Sequence, residues 1–172
     1  MADFIPAFEK TMTYEGGFVL HEVKGDRGGL TFAGIAENFH PDWLGWPIIK
    51  QHGAEDMRLT PLVKEFYKSK FWDLMKGDEI CDQEIAENIF DFGVNAGMGT
   101  SAKIAQTIAG VTPDGGIGPV SVRALNQLNG DDFSAAMFIL KVDRYSRIVN
   151  RNPSQAKFLR GWVNRSLKIL KS

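Results

Sequence analysis

The sequence has few of the residues from which disulfide-stabilised and metal-dependent proteins are built. It contains one cysteine, Cys81, so an internal disulfide framework is excluded. That cysteine and three scattered histidines (His21, His40 and His52) lack the spacing of a zinc site. We therefore expect neither a metal nor another cofactor. No run approaches about 18 apolar residues, which argues against stable insertion in a membrane.

The first six residues, Met-Ala-Asp-Phe-Ile-Pro, contain no basic region, no long apolar run and no cleavage-site pattern. A secretory signal combines all three of these features. We therefore expect synthesis in the cytoplasm, with any export dependent on another factor.

Charge is distributed unevenly along the 172 residues. The content of 44% apolar and 24% charged residues is ordinary for a globular protein of one domain, or of one core with a small appendage. The formal net charge is −1, yet residues 141–172 hold nine Lys and Arg side chains and one acid, Asp143. Such a basic end can dock on an anionic polymer such as nucleic acid or cell-wall material. The alternative, which the charge pattern alone favours, is a solvated face that neutralises the acidic remainder of the chain.

The spacing of apolar residues predicts a mainly α fold with about seven helices and one short early β-hairpin. The hairpin is expected between Phe18 and Leu30, a stretch too rich in glycine for a helix. Thr31 is placed as an N-cap and predicts a short helix through Asn38. Residues 40–59 are predicted as a loop because prolines and glycines interrupt them.

One acid follows a predicted helix directly and precedes two glycines, in the stretch Tyr14-Glu15-Gly16-Gly17-Phe18. Glycine supplies the positive φ that a helix end commonly needs, so the helix is expected to stop beside Glu15. The negative end of the helix dipole and the neighbouring aromatic rings both favour the protonated carboxyl. A general acid needs that form. The alternative is an ordinary surface glutamate beside a glycine cap, and the pentapeptide alone favours this alternative.

A later helix, capped by Asp82, is predicted to be buried and carries one polar stripe made of Asn88, Asp91 and Asn95. Buried polar side chains must find hydrogen-bond partners. The stripe therefore either braces the surrounding backbone or lines a cleft, and both alternatives stay open.

Five short motifs follow one another along the chain: Glu15-Gly16-Gly17-Phe18, Asp26-x-Gly28-Gly29-x-Thr31-x-x-Gly34-Ile35, Phe71-Trp72, Asp91-Phe92-x-Val94-Asn95-x-Gly97 and Asp114-Gly115-x-Ile117-Gly118-Pro119. In this order they closely resemble glycoside hydrolase family 108, the bacterial and phage N-acetylmuramidases of the lysozyme superfamily. The later part resembles the peptidoglycan-binding region usually found behind that catalytic portion. The resemblance implies a lysozyme-like helical bundle, with a catalytic region at 1–96 and a helical peptidoglycan-binding region at 97–172, packed as one compact body.

The same resemblance implies that Glu15 is the catalytic acid. It matches Asp26 and Thr31 to the second carboxylate and the neighbouring hydroxyl of phage-type lysozymes. The family often has Asn-Pro or Asp-Pro before the glycine pair, whereas this chain has Asp26-Arg27, so Glu22 stays an alternative to Asp26. Cleaving a glycosidic bond requires a proton for the leaving oxygen and a negative charge or a water opposite the oxocarbenium centre, and these residue types supply them.

Aromatic and amide side chains suit a groove that binds sugars. Four aromatic residues can stack on sugar rings: Trp43, Trp46, Tyr67 and Trp72. Tryptophan at helical spacing, however, more often belongs to a core. The predicted substrate-binding residues, on the hypothesis that the polar stripe faces the groove, are Tyr67, Asn95 and Asp91.

We therefore expect an N-acetylmuramidase that cleaves the β-1,4 bond between N-acetylmuramic acid and N-acetylglucosamine in peptidoglycan glycan strands. The alternatives are a lytic transglycosylase, disfavoured by a second acid at Asp26, and a non-catalytic cell-wall-binding protein, disfavoured by an intact Glu15. A muramidase without a signal suits a phage or prophage endolysin that a holin-type pore releases to the cell wall or periplasm. A bacterial housekeeping enzyme fits nearly as well. No motif indicates nucleic-acid binding or an oligomeric state.

Overall fold

The structure is a computed structural model that describes residues 1–22 and 28–170, with Glu22 described by its main chain. Spatial contacts divide the chain into two compact units. The sheet unit comprises residues 8–70, and the helical unit comprises Met1–Ala7 together with the chain from Phe71 onwards. Across the described residues, eight α-helices and one small three-stranded sheet confirm the predicted mainly α fold with an early hairpin. No helix in this part combines the length and the apolar character needed to cross a bilayer.

The sheet unit contains three strands and three helices. In chain order they are α1 (Phe4–Tyr14, which starts in the helical unit), β1 (Leu20–Glu22), β2 (Leu30–Phe32), β3 (Ile35–Ala36), α2 (Gly45–His52) and α3 (Leu59–Tyr67). The strands form an antiparallel sheet in the order β1-β2-β3. Leu20 pairs with Phe32 at the first interface, and Phe32 pairs with Ile35 at the second.

The predicted helix from Thr31 to Asn38 is wrong, because this stretch forms a hairpin. Two residues, Ala33 and Gly34, join β2 to β3, and their φ angles are 48° and 77°. Positive φ at both central residues is typical of the two-residue turn that matches the twist of a hairpin, and a right-handed helix cannot contain it. Thr31 is therefore a strand residue and not a helix cap.

The predicted loop at residues 40–59 contains a helix, α2. Pro47 is the third residue of α2, and the first turn of a helix tolerates proline because its N–H groups have no partner within the helix. Packing requires the glycine at position 45, since a Cβ on Gly45 would overlap the ring of Trp43. The proline and the glycine that indicate a loop in the sequence therefore have other roles.

Aromatic rings form the interior of the sheet unit. The ring centroid of Phe8 lies 6.4 Å from that of Phe18 and 5.5 Å from that of Tyr67. Phe32 stacks on Trp43 with centroids 6.1 Å apart. Phe8 and Phe32 are each 1% exposed, and burial of such a side chain contributes about 1.5–3 kcal/mol. The cluster therefore ties α1, the sheet and α3 together.

The helical unit consists of five further helices linked by short turns. A π-helical turn (Lys68–Trp72) begins in the sheet unit and ends in the helical unit. Two 3₁₀ turns follow, Asp73–Met75 and Gly77–Glu79. The helices are then α4 (Gln83–Ala96), α5 (Met98–Ile108), α6 (Pro119–Leu125), α7 (Gly130–Arg151) and α8 (Ala156–Leu170), with a 3₁₀ turn (Pro153–Gln155) between α7 and α8. Asp82 caps α4 as predicted, since its Oδ1 accepts a 3.0 Å hydrogen bond from the N–H of Ile85. α4 packs against α5 and α7, and α7 packs against α8.

A buried glutamine holds the turn that contains the last of the family motifs. Gln106 is 1% exposed, and its Nε2 donates hydrogen bonds to Oδ1 of Asp114 at 2.7 Å and to Oγ of Ser121 at 3.1 Å. Its Oε1 accepts from the N–H of Gly115 at 2.9 Å. The hydrogen bond from the N–H of Gly116, followed by the bond from Gln106, lowers the pKa of Asp114. This turn is therefore held from inside the helical unit.

Candidate active site

Glu15 directly follows the last residue of α1, where the sequence predicts it. Gly16 and Gly17 have φ angles of 86° and 76°. The N–H of Gly17 donates a 3.0 Å hydrogen bond to the carbonyl of Met12, five residues earlier. This bond, combined with glycine in the left-handed region, is a common way to terminate a helix. The bend therefore fixes Glu15, which is half-buried, at the end of α1.

The turn between β2 and β3 comes close to the carboxyl of Glu15. A Cβ on Gly34 would lie 3.8 Å from Oε2 of Glu15 and 2.5 Å from Oη of Tyr67. Gly34 is exposed. The acid, the turn and Tyr67 therefore meet around one glycine, and backbone without a side chain allows another group to come close.

Tyr67, a predicted substrate-binding residue, braces this turn. It is 2% exposed, and its hydroxyl donates a 2.9 Å hydrogen bond to the carbonyl of Ala33. Ala33 is 1% exposed and has a positive φ of 48°, which is uncommon for a residue with a Cβ. The hydrogen bond helps to hold this unfavourable conformation. Direct contact between Tyr67 and a substrate stays a prediction.

Thr31 lies on the same hairpin as Gly34, in β2, and it is half-buried. Its hydroxyl donates a 3.4 Å hydrogen bond to the carbonyl of Gly29. Asp26 lies outside the described residues, and so does the side chain of Glu22. The predicted roles of Thr31 and of the second carboxylate therefore stay predictions.

The other two predicted substrate-binding residues, Asp91 and Asn95, lie on α4 of the helical unit. Asp91 is 4% exposed and pairs with Arg165 through two contacts, Nη2–Oδ1 at 2.7 Å and Nε–Oδ2 at 3.4 Å. Asn88, the third member of the stripe, donates to Oγ of Ser134 at 2.9 Å. Asn95 is exposed. These contacts of Asn88 and Asp91 join α4 to neighbouring helices, which is the bracing alternative. Substrate binding by Asp91 and Asn95 stays a prediction.

A buried lysine lies beside the pair of Asp91 and Arg165. Lys141 is 1% exposed, and its Nζ lies 5.0 Å from the ring centroid of Phe92 and 3.5 Å from Oδ1 of Asn88. Burial lowers the pKa of Lys141 to about 8, while the charge of Asp91 opposes this shift and that of Arg165 adds to it. The buried part of the stripe therefore belongs to an internal polar network of the helical unit.

The tryptophans divide between the core and the surface. Trp46 and Trp72 are 2% and 0% exposed, as expected of core residues. Trp43 is half-buried and lines a cavity of about 410 Å³ in the sheet unit together with His40 and Lys70. Burial, followed by the charge of Lys70, lowers the pKa of His40. Among these three tryptophans, Trp43 is the one whose side chain is half-buried and not part of the core.

Sequence reasoning missed the partners of the predicted residues. Gly34 lies inside a helix that was predicted wrongly, although a glycine in the middle of a helix is itself a warning signal. Arg165 is 74 positions from Asp91, a distance over which sequence gives no indication of contact. Within residues 1–22 and 28–170, no group of three or more His, Cys, Asp or Glu side chains could hold a metal ion.

The fold is similar to that of a solved structure described as "Structure of Brucella abortus SagA". The two chains are 21% identical, and the TM-score is 0.73 over 98% of this chain and 91% of that chain. At this identity the likeness establishes a shared fold. No curated protein matches the sequence significantly.

Two families match successive parts of the sequence. The family described as Glycosyl hydrolase 108 matches residues 8–97, more than half of the chain, and this segment includes Glu15, Gly34 and Tyr67. The family described as Predicted Peptidoglycan domain matches residues 100–167. The chain therefore belongs to glycosyl hydrolase family 108 and carries a C-terminal predicted peptidoglycan-binding domain.

Proposed function

We propose that the chain is an N-acetylmuramidase that hydrolyses the β-1,4 bond between N-acetylmuramic acid and N-acetylglucosamine, with Glu15 as general acid. One observation carries this proposal: the carboxyl of Glu15 stands at the glycine-terminated end of α1, beside the exposed backbone of Gly34. Family membership supports the reaction class, and the match to the peptidoglycan domain supports the polymer.

The chemistry assigns one role to each proposed residue. Glu15 gives its proton to the oxygen of the departing sugar, and the positive charge that develops at the anomeric carbon needs a partner. Asp26 stabilises that charge or orients the attacking water, with Glu22 as the alternative, and Thr31 helps to hold the water. Addition of water at the anomeric carbon then leaves a reducing end.

Substrate binding is proposed for Tyr67, Asn95 and Asp91. The exposed Asn95 offers the simplest test, because its replacement creates no buried cavity. Asn95→Ala should raise the KM for soluble glycan fragments while the melting temperature stays unchanged. Unchanged turnover with lower stability would assign Asn95 to the bracing role instead.

Digestion of purified peptidoglycan by the wild type and by Glu15→Gln tests the catalytic role. Glu9→Gln is a matched control, because Glu9 is an exposed acid on the same helix. Loss of a general acid costs about 10²–10⁴ in rate, so Glu15→Gln should release almost no fragments while Glu9→Gln behaves as the wild type. Equal clearing by all three proteins would refute the assignment.

The masses of the products separate the remaining functions. Reducing muramic ends are expected of a hydrolase. Anhydro-muramic ends would identify a lytic transglycosylase, which closes a 1,6-anhydro ring without adding water. Binding to peptidoglycan without any fragment release would identify a cell-wall-binding protein.

The biological setting proposed for this activity is that of a phage or prophage endolysin, made in the cytoplasm and released to the cell wall by a holin-type pore. Expression in a bacterial host with an intact inner membrane should leave the culture turbid, and permeabilising that membrane should cause lysis within minutes. Lysis without permeabilisation would indicate a housekeeping enzyme with its own export route. The Glu15→Gln variant controls for toxicity of the protein itself.

A further inference from the structure

A basic groove runs between α5 and α7 of the helical unit. We use this name for a cavity of about 500 Å³ with four cations on its wall: Lys103, Arg144, Arg147 and Arg151. The three arginines lie at positions i, i+3 and i+7 of α7, which places them on one face of the helix. Asp143, the one carboxylate among the described residues of the wall, pairs with Arg147 at 2.6 Å in an exposed ion pair. The groove therefore presents a net positive charge.

One donor in this wall lacks a hydrogen-bond partner. Nε of Arg144 is buried, and it donates no hydrogen bond to any described residue. Leaving a buried donor without a partner costs about 1–3 kcal/mol, and native proteins rarely accept that cost without a reason. The Arg144 side chain as a whole is partly exposed and lines the groove, so a planar anion that enters the groove meets its outer N–H donors, and an arginine fork matches a carboxylate.

The floor of the groove narrows the choice of anion. Three apolar residues also line the groove, namely Ile104, Leu140 and Ile148, and we call them its apolar floor. A matching ligand therefore carries small alkyl groups as well as negative charge. None of the described residues that line this groove is aromatic, whereas proteins that track single-stranded nucleic acid usually stack its bases on aromatic rings.

The geometry points to a binding site for the peptide stems of peptidoglycan, with Arg144 and Arg147 holding stem carboxylates and the apolar floor holding alanine methyl groups. The inference rests on the proposed peptidoglycan substrate. All the lining residues fall within residues 100–167, the part that matches the predicted peptidoglycan domain. The groove would hold the enzyme on the polymer that it is proposed to cut.

Sedimentation with purified sacculi tests this site in a Glu15→Gln background, where the glycan stays intact. Removing a charge-assisted hydrogen bond to a ligand reduces affinity about tenfold or more. Arg144→Gln should therefore bind intact sacculi about tenfold more weakly, and Arg147→Gln, at the exposed rim, severalfold more weakly. Arg123→Gln is the matched control, because Arg123 is exposed on α6 and does not line the groove.

Removal of the peptide stems by an amidase should reduce binding of the parent protein to the level of Arg144→Gln. Far-UV circular dichroism checks that Arg144→Gln folds, and the rim variant Arg147→Gln gives an independent readout if it does not. Equal binding by Arg144→Gln, Arg147→Gln and Arg123→Gln, or binding that survives stem removal, would overturn the assignment. Competition by a DNA duplex at the same concentration as sacculi would also overturn it and assign the groove to nucleic acid.

The glycan-cutting activity separates this inference from the proposed function. With Glu15 restored, the protein should cut stem-free glycan chains, because the proposed catalytic acid acts on the glycan and the groove acts on the stems. A wild type that binds stems but cuts no glycan would refute the proposed muramidase activity and would not contradict the assignment of the groove. A wild type that cuts glycan although Arg144→Gln binds sacculi normally would refute the groove alone.

Discussion

The hydroxyl of Tyr67 donates a 2.9 Å hydrogen bond to the carbonyl of Ala33, and this bond joins α3 to the turn that faces Glu15. The turn needs support, because Ala33 has a positive φ of 48° while it is 1% exposed. Tyr67, a residue predicted to contact substrate, thus braces the backbone beside the acid.

Tyr67→Phe should weaken both stability and turnover. The substitution leaves the buried carbonyl of Ala33 without this donor, which costs about 1–3 kcal/mol of unfolding free energy. Release of the turn should also lower kcat on peptidoglycan, because the backbone beside Glu15 is less well held. Urea denaturation and digestion assays measure the two effects.

Tyr145→Phe is the comparison for this experiment. It removes another buried hydroxyl, 3.3 Å from Oγ of Ser166 in the helical unit. It should lower stability while kcat stays unchanged at temperatures well below unfolding. A Tyr67→Phe enzyme with full stability and full turnover would show that the hydrogen bond to Ala33 is dispensable.

Gly34→Ala should lower the unfolding free energy for two separable reasons. Its φ of 77° disfavours a residue with a Cβ, and that Cβ would lie 2.5 Å from Oη of Tyr67. In the Tyr67→Phe background the second reason disappears, so Gly34→Ala should cost at least about 1 kcal/mol less there than in the wild type. Denaturation of the single and double variants completes the cycle. If Gly34→Ala lowered the unfolding free energy equally in both backgrounds, the positive φ alone would explain why a glycine is needed at this position.

The sequence predicted features whose chemistry lies within a few residues. The end of α1 follows from two adjacent glycines. The start of α4 follows from Asp82, whose carboxylate accepts a hydrogen bond from the N–H of Ile85, three residues later. The hairpin at residues 31–36 was missed, because a cap-like threonine and apolar spacing also fit a helix. Gly34 was the contrary signal, since positive φ is what glycine allows and a helix excludes.

Long-range polar contacts could not be predicted from the sequence. The partner of Asp91 is Arg165, and the hydroxyl of Tyr67 bonds a main-chain carbonyl, which has no sequence signature at all. Apolar residues on most sides of α4 correctly predicted a buried helix. Whether its polar stripe braces the backbone or lines a cleft depends on where α7 and α8 lie. Asp26 stays a prediction from family resemblance.

Gly16→Ala should destabilise the protein through the backbone alone. The φ of Gly16 is 86°, yet a Cβ there would meet no atom within 4 Å. The cost of the left-handed conformation is about 1–2 kcal/mol, and the shift at the end of α1 should also displace Glu15 and reduce turnover. Gly161→Ala on α8 has equally open space in a helix interior, so it should instead stabilise by about 0.5–1 kcal/mol. A neutral Gly16→Ala would show that α1 can end in another way.

Lys141→Met should stabilise the protein at pH 7 and lose this advantage as pH rises. The pKa of Lys141 is about 8 in the folded protein against 10.5 for an ordinary lysine, chiefly because of burial. Between these two pH values, the unfolded chain therefore binds more protons than the folded protein does. The loss of unfolding free energy caused by burying the charge is complete below pH 8 and disappears above pH 10.5. Replacing buried charged groups by apolar side chains of similar volume is often neutral or stabilising by about 1–4 kcal/mol, and Lys141→Met should fall on the stabilising side because the charge of Arg165 adds to the burial penalty.

Urea denaturation from pH 7 to pH 10 measures the unfolding free energies of Lys141→Met and the wild type. In their difference, the contributions of other titrating groups largely cancel. Lys103→Met provides the reference, because Lys103 is exposed and its replacement should change stability by no more than about 0.5 kcal/mol at any of these pH values. The advantage of Lys141→Met should shrink steadily above pH 8. A destabilised Lys141→Met at pH 7 would instead mean that attraction to Asp91 outweighs burial, so that the lysine is a net contributor to the polar network.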